Sequence, residues 1–315
     1  MTTATTPTHA WLDGRVVRWD ECVLHARSQG AFWGANVFEG LRAYRQADGR
    51  LHLFRAQEHL DRLWRSMKSL HMTIPYSRDD LAAACAEVVA ANGFTDDAHV
   101  CVVAYFGLGS DLEPMTYTEE AGVHITTTLQ PRSPAYERGL AVGISSWRRI
   151  SDDVMPPRIK TGANYHNSRL AAHEAFRNGY QGALILNTRG TVSEAPGSCV
   201  MMVRDGELVT PPGTSGVLEG ITVDTVAELA AERLGLPLHR REVDRTELYV
   251  ADELFLCGTK SEVVPVTSVD RITIGDGTRG PVTRALQDAY EDVVRGRAGH
   301  AGWLTPIGQA TEVAA

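Results

Sequence analysis

Residues 158–171 read RIKTGANYHNSRLA. A lysine, Lys160, stands between Ile159 and a compact Thr-Gly-Ala-Asn-Tyr run, and a helix-forming segment follows. Taken alone, a lysine in a loop is most often a solvated charge. Its neighbours alter that expectation. Met155, Pro156, Pro157 and Ile159 are apolar. An amine held near apolar groups loses ammonium solvation, which favours its neutral, nucleophilic form. A lysine that forms a Schiff base with a carbonyl has that requirement.

Other short stretches offer partners for such an amine. TVSEAPGS places Glu194 in a turn between two strand-like runs, where an exposed carboxylate would be the ordinary reading. LEGIT puts Gly220, Ile221 and Thr222 at the start of a helix. Backbone N–H groups and the helix dipole attract a phosphate there, although the motif alone is most simply a cap. CGTKSE offers a second Gly-Thr pair, Gly258 and Thr259, just after a strand. Each signal is weak singly. Together they supply a lysine, a carboxylate and two anion-binding turns; a pyridoxal-phosphate site requires these and a hydrogen-bond donor near the phenolic oxygen.

The bulk composition leaves room for this. At 315 residues the chain is long enough for roughly two domains. Hydrophobic content of 43% and charged content of 22% are those of an ordinary globular protein. The formal charge of −8 argues against nucleic acid or an anionic membrane as partner. Arg148-Arg149 and Arg240-Arg241 are short basic pairs, read as solvated surface or single anion contacts. The odd set Cys22, Cys85, Cys101, Cys199 and Cys257 has no metal-ligand spacing, so neither zinc nor a disulfide framework is expected. Without a secretory signal or a membrane-length apolar run, a cytoplasmic location is expected.

The pattern of elements points to α+β rather than a doubly wound sheet, because βαβ units do not repeat regularly. HAWLDGRVVRW predicts a hairpin turning at Asp13-Gly14, and SCVMMVRDGELVTPP another at Asp205-Gly206. Ala56 to Leu70 reads as a helix with Leu60, Leu63, Trp64, Met67 and Leu70 on one stripe, leaving Arg62 off it. Further helices are expected over DDLAAACAEVVAANG, residues 167–178, GITVDTVAELAAERLG and PVTRALQDAYEDVVRG. The expected division is a small α+β domain over 1–130, a Pro-containing interdomain loop over 131–139, and a large cofactor-binding domain over 140–315.

The chain resembles the fold-type IV pyridoxal-phosphate enzymes, and within them the branched-chain amino acid aminotransferases. The likeness runs from WLDGRVVRW and VFEGLRAY to GPVTRALQDAY, and is carried best by EHLDRLWRS, KTGANYHNS, SEAPGS, LEGIT and ADELFLCGTKSEVVPV. The resemblance implies a two-domain α+β fold with the cofactor between domains. It implies Lys160 as the Schiff-base lysine and proton shuttle, Tyr165 on the phenolic oxygen and Glu194 on the pyridine nitrogen. It implies Arg62, Gly220, Ile221, Thr222 and Thr259 around the phosphate. Phe38 and Arg42 would lie beside the substrate, with Thr259 and Lys260 where its carboxylate binds. A homodimer or higher homo-oligomer is implied, with an amino acid and a keto acid as small-molecule partners in a ping-pong transamination.

Substrate recognition departs from the family pattern. The branched-chain enzymes carry a Tyr-x-Arg pair where this chain has His99 and Cys101, and Trp33 replaces a family tyrosine. A neutral cysteine cannot reproduce a two-pronged arginine–carboxylate contact. Two expectations follow. Either Lys260, Arg132 or His99 supplies the missing positive charge for an altered donor or acceptor, such as a modified or larger amino acid, or Trp33 and Cys101 shape a pocket for apolar substrates only. Relatives of the same fold also include D-amino acid and (R)-amine transaminases and an aminodeoxychorismate lyase, which stand as alternatives.

Overall fold

The computed structural model describes residues 6–109, 112 and 116–308. Internal contacts divide the chain into two units. One comprises Met1–Pro131, Ile159–Ala163 and Val293–Ala315; the other comprises Arg132–Arg158 and Asn164–Asp292.

The first unit opens with strands β1 (His9–Leu12) and β2 (Arg15–Arg18). Asp13 and Gly14 both have positive φ, 43° and 99°, so the tight turn uses the left-handed backbone that an Asp-Gly pair tolerates. A short helix α1 (Gln29–Phe32) precedes strand β3 (Asn36–Arg45) and strand β4 (Leu51–Phe54). Helices α2 (Ala56–Ser69) and α3 (Arg78–Ala91) follow, then strands β5 (Ala98–Phe106) and β6 (Ala121–Leu129). Ser77 starts α3 by accepting from the Asp80 amide while the Asp80 carboxylate accepts from the Ser77 N–H, a reciprocal cap. The apolar stripe of α2 does what its spacing predicts. Leu60, Leu63 and Met67 are buried in one core with Val37, Leu41, Val100, Val102 and Ile125 of the sheet. Arg62 departs from expectation, since it too is buried, at 5% exposure.

Segment 159–163 joins this unit along β3. Thr161 bridges Val37, and the Phe38 amide donates to the Lys160 carbonyl at 2.8 Å.

The second unit begins with a helical turn, α4 (Ala135–Arg138), inside the stretch expected as a loop. Tyr136 is buried there, because its carbonyl accepts from Gln287 Nε2 at 2.6 Å and its hydroxyl donates to the Gln287 carbonyl. Strand β7 (Leu140–Arg148), helix α5 (Tyr165–Arg177) and strand β8 (Gly182–Leu186) form a parallel βαβ unit. α5 starts two residues earlier than the periodicity predicts, because a single 3-10 turn, Gly162–Asn164, leads into it. Then come β9 (Cys199–Arg204), β10 (Glu207–Thr210), α6 (Ile221–Leu234), β11 (Leu238–Arg240), β12 (Glu253–Gly258), β13 (Glu262–Val269), β14 (Ile272–Thr273) and α7 (Pro281–Val294). The sheet runs β11-β10-β9-β12-β13-β7-β8, with β14 on β13. It is mixed: β9, β10, β12 and β13 pair antiparallel to one another, while β13–β7, β7–β8 and β10–β11 are parallel.

From Val293 the chain groups with the first unit again. Its last strand, β15 (Leu304–Pro306), pairs with β4 and completes the first sheet in the order β15-β4-β3-β5-β6-β1-β2.

Candidate active site

In the first unit the candidate residues gather on β3, β5, α2 and the lysine segment. Alternation along β3 sends Phe38, Gly40 and Arg42 to one face and Glu39 to the other. The register pairs Phe38 with Val103, Gly40 with Cys101 and Arg42 with His99, so Cys101 and His99 share the face of Phe38. The Lys160 ammonium lies over the Phe38 ring, 4.8 Å from its centroid. Its backbone is held on both sides, with the N–H donating to Ser66 Oγ at 3.3 Å and the carbonyl accepting from Phe38. The Lys160 side chain therefore rises from a fixed stretch of backbone, not from an open loop.

Behind β3 lies a buried ionic cluster. Glu39 is fully enclosed and accepts from Arg62 Nε at 2.7 Å, from Arg62 Nη2 at 2.8 Å, and at 2.8 Å from His59 Nδ1. Burial alone would raise the Glu39 carboxyl, but the Arg62 guanidinium and the His59 ring outweigh it and set it at about 2. Burial depresses His59, although Glu39 opposes that shift.

Four other candidates of this unit differ in setting. Trp33 caps α1, stands 51% exposed and meets Phe32 edge-on. Arg42 is 1% exposed, and its Nη2 donates to the Gln130 carbonyl at 2.7 Å and lies 3.7 Å from Asp97. It is a wall residue, not an exposed cation. His99 fills the space that Gly40 leaves; a Cβ on Gly40 would come within 2.6 Å of His99 Nε2. Cys101 is pushed up to about 11 by burial, with the nearby Lys160 charge opposing the shift.

In the second unit the candidate residues lie on the βα and ββ connections. Tyr165 is the first residue of α5 and is half-buried. Glu194, at 6% exposure, is no surface turn. Its carboxylate accepts from the Leu218 N–H at 3.0 Å through Oε2, and its Oε1 lies 2.7 Å from Arg149 Nη2. Gly220 is the N-cap residue of α6 and, as a glycine, brings no side-chain cap. Ile221 and Thr222 follow, both buried. Gly258, Thr259 and Lys260 turn from β12 into β13 beside Ser198 and Ser261, whose hydroxyls lie 2.9 Å apart. Lys260 is exposed. Arg132 is engaged elsewhere, by Glu262 at 2.5 Å and Glu291 at 2.6 Å and by stacking over Tyr136, so it is removed from the cations considered for substrate binding.

These groups fit pyridoxal phosphate. A buried carboxylate paired with an arginine suits a protonated ring nitrogen. The α6 start, without a side-chain cap, leaves backbone amides and the positive helix end for a phosphate.

Sequence reasoning missed two participants. Arg149 belongs to a basic pair read as surface, yet it is 5% exposed. Glu39 sits in VFEGLRAY as an unremarked strand residue. A carboxylate on the apolar face of a strand pattern, opposite a helix carrying His59 and Arg62, was the available signal.

The sequence matches the family described as Amino-transferase class IV over residues 36–269, and the chain belongs to that family. It is therefore a pyridoxal 5′-phosphate-dependent aminotransferase of fold type IV. It is 36% identical over 303 residues to the branched-chain-amino-acid aminotransferase of Salmonella typhimurium, covering 95% of this chain and 97% of that one. With the Escherichia coli K12 enzyme of the same name it is 36% identical over 305 residues, covering 96% and 98%. Among solved structures it is similar to the branched-chain amino acid aminotransferase of Thermobaculum terrenum in its pyridoxal-phosphate form. That likeness has 42% identity, a TM-score of 0.90 and coverage of 96% of this chain and 99% of the other. The Escherichia coli structure gives 35% identity and a TM-score of 0.91, covering 96% and 100%. These relatives do not favour the D-amino acid, amine or lyase alternatives.

Among the described residues no helix is long and apolar enough to cross a membrane.

Proposed function

We propose that this aminotransferase moves the amino group of a branched-chain-like or larger L-amino acid to a 2-keto acid by a ping-pong mechanism, with Lys160 as its covalent attachment point. The observation that carries the assignment is the setting of Lys160: its backbone is pinned to β3 and α2, and its ammonium sits over Phe38 on the face shared with Cys101. The names of the relatives support the substrate class.

Bound pyridoxal phosphate supplies an electron sink for charge developing at the substrate Cα. The chain's own residues do the rest. Lys160 acts as nucleophile and then carries the proton at Cα, as base and acid in turn. Tyr165 donates to the phenolic oxygen, and Glu194 keeps a proton on the ring nitrogen. Arg62, Gly220, Ile221, Thr222 and Thr259 hold the phosphate. Trp33, Phe38, Arg42, His99, Cys101, Thr259 and Lys260 bound the substrate. With Arg132 engaged by Glu262 and Glu291, His99 and Lys260 are the cations left to meet an acidic side chain. A homodimer in the cytoplasm completes the proposal.

Lys160→Ala tests it. Borohydride should fix the cofactor covalently in the parent protein and not in the variant, and turnover should be almost abolished. Covalent fixation in Lys160→Ala would refute the lysine assignment.

A further inference from the structure

A buried ion pair sits beside the carboxylate assigned above to the ring nitrogen. Arg149 is 5% exposed and Glu194 6%, and Arg149 Nη2 lies 2.7 Å from Glu194 Oε1. Their meeting is built into the backbone. The Arg149 N–H donates to the Leu186 carbonyl at 2.9 Å, extending β7 along β8. One residue earlier on β8, the Ile185 N–H donates to the Glu194 carbonyl at 2.9 Å and the Ser193 N–H returns to the Ile185 carbonyl. Consecutive residues of one strand thus anchor both partners.

The remaining contacts close a ring. Arg149 Nε donates to the Gly216 carbonyl at 3.2 Å, and two residues on, the Leu218 N–H donates to Glu194 Oε2 at 3.0 Å. Gly216 has φ of +80°, and a Cβ there would reach 3.4 Å from Arg149 Cγ, so a glycine both makes the turn and lies against the arginine stem. Arg149 Nη1 reaches towards Ser168 Oγ at 3.4 Å, one turn along α5 from Tyr165. The same guanidinium therefore contacts the Glu194 carboxylate and the helix that begins with Tyr165.

A carboxylate buried this deeply takes up a proton unless a positive group compensates. A neutral Glu194 could not hold a pyridinium. A short guanidinium contact keeps it anionic, and the Leu218 amide fixes its plane.

We infer that Arg149 is a positioning residue for the cofactor: it holds Glu194 ionised and oriented, so that the protonation state of the bound pyridine ring depends on an arginine that need not touch the ring. This inference rests on the assignment of Glu194 made above. It extends the site by one residue drawn from the loop-bearing end of β7.

The test uses the cofactor-loaded enzyme and follows the visible absorbance of the bound cofactor against pH, together with cofactor affinity in the reconstituted protein. In Arg149→Met the acid limb of the absorbance titration should move to higher pH by about one unit or more, because Glu194 then protonates more readily. Cofactor Kd should rise about tenfold or more, as when a supporting group behind a ligand is lost. Arg149→Lys, which keeps the charge, should restore the limb most of the way. Arg149→Gln, which keeps hydrogen bonding without charge, should not; it also carries the test if Arg149→Met fails to fold. An acid limb unchanged in Arg149→Gln or Arg149→Met overturns the inference, even if melting temperature falls, since that would be packing alone. Glu194→Gln separates the two levels. If it leaves absorbance, titration and affinity as in the parent, the Glu194 assignment itself fails. If it changes them while the Arg149 variants titrate as the parent, only the inference about Arg149 fails.

Discussion

Arg62 grips Glu39 with two nitrogens, Nε at 2.7 Å from Oε1 and Nη2 at 2.8 Å from Oε2, and both residues are buried. The contact ties α2 to the centre of β3, the strand that carries Phe38 and is edged by the Lys160 segment. A buried pair of this kind adds little net stability over an apolar replacement, but removing one member leaves the other charge uncompensated.

Glu39→Gln should therefore destabilise the protein by about 3–5 kcal/mol. Urea unfolding of parent and variant measures it. A difference well under about 1 kcal/mol would mean that the pair is structurally dispensable.

Acid should weaken the same cluster in two stages. Burial holds His59 below its ordinary value of 6.5, so the unfolded chain binds that proton first and stability declines as pH falls below 6.5. Glu39 is depressed from 4.5 to about 2. Its contribution is complete above 4.5 and is lost progressively as pH falls from 4.5 towards 2. Melting temperature against pH should show the decline, and His59→Gln should reduce the early stage, to which His52 and His124, also held below 6.5 by burial, contribute, while retaining the late one. A parent profile flat from pH 7 to about 5 would contradict the reading of His59.

Cys101→Arg should improve the use of 2-oxoglutarate. The side chain lies on the Phe38 face, directly across from Gly40, where the His99 ring also lies, so an arginine there would share that space with His99. A charge-assisted contact to the second carboxylate is worth about 1.5–3 kcal/mol, or roughly ten- to a hundredfold in kcat/KM. Steady-state rates with 2-oxoglutarate and an apolar keto acid decide it. An equal effect on both acceptors would place recognition of the acidic side chain elsewhere.

Thiol reagents should spare Cys101 at neutral pH. Burial raises it from 9.0 to about 11 and raises Cys85 to about 12. For Cys101 the thiolate fraction is then roughly a hundredfold below that of an ordinary cysteine. Iodoacetamide at pH 7 followed by peptide mass analysis should label Cys101 far more slowly than an unstructured thiol. Rapid labelling would show a more open or more positive environment than the face of β3 provides.

Much of the scaffold was legible from local pattern. The period of Leu60, Leu63 and Met67 predicted the buried face of α2, and Asp13-Gly14 and Asp205-Gly206 predicted the hairpin turns. Gly235, at φ of 62°, ends α6 as a helix stop should. These features depend on side-chain spacing and backbone preference, which act between near neighbours. The short pieces β11, β14 and β15 were not foreseen, because strands of two or three residues exist only through partners distant in sequence.

The candidate site divides along the same line. Lys160, Glu194 and the Gly-Thr turns stood out as candidates from residue type and order, and Tyr165 from the family resemblance. What surrounds those groups could not. Arg149 looked like half of a surface pair, Arg132 like a free cation and Glu39 like nothing in particular. The structure buries Arg149 on Glu194, engages Arg132 with Glu262 and Glu291, and places Glu39 under Arg62. Residue order alone was enough to nominate candidate groups and the local elements that carry them, since these follow from side-chain chemistry and short-range periodicity. Only the tertiary structure decided which charges are neutralised, because a charge's partner and its desolvation are set by residues far along the chain that packing brings within about 3 Å.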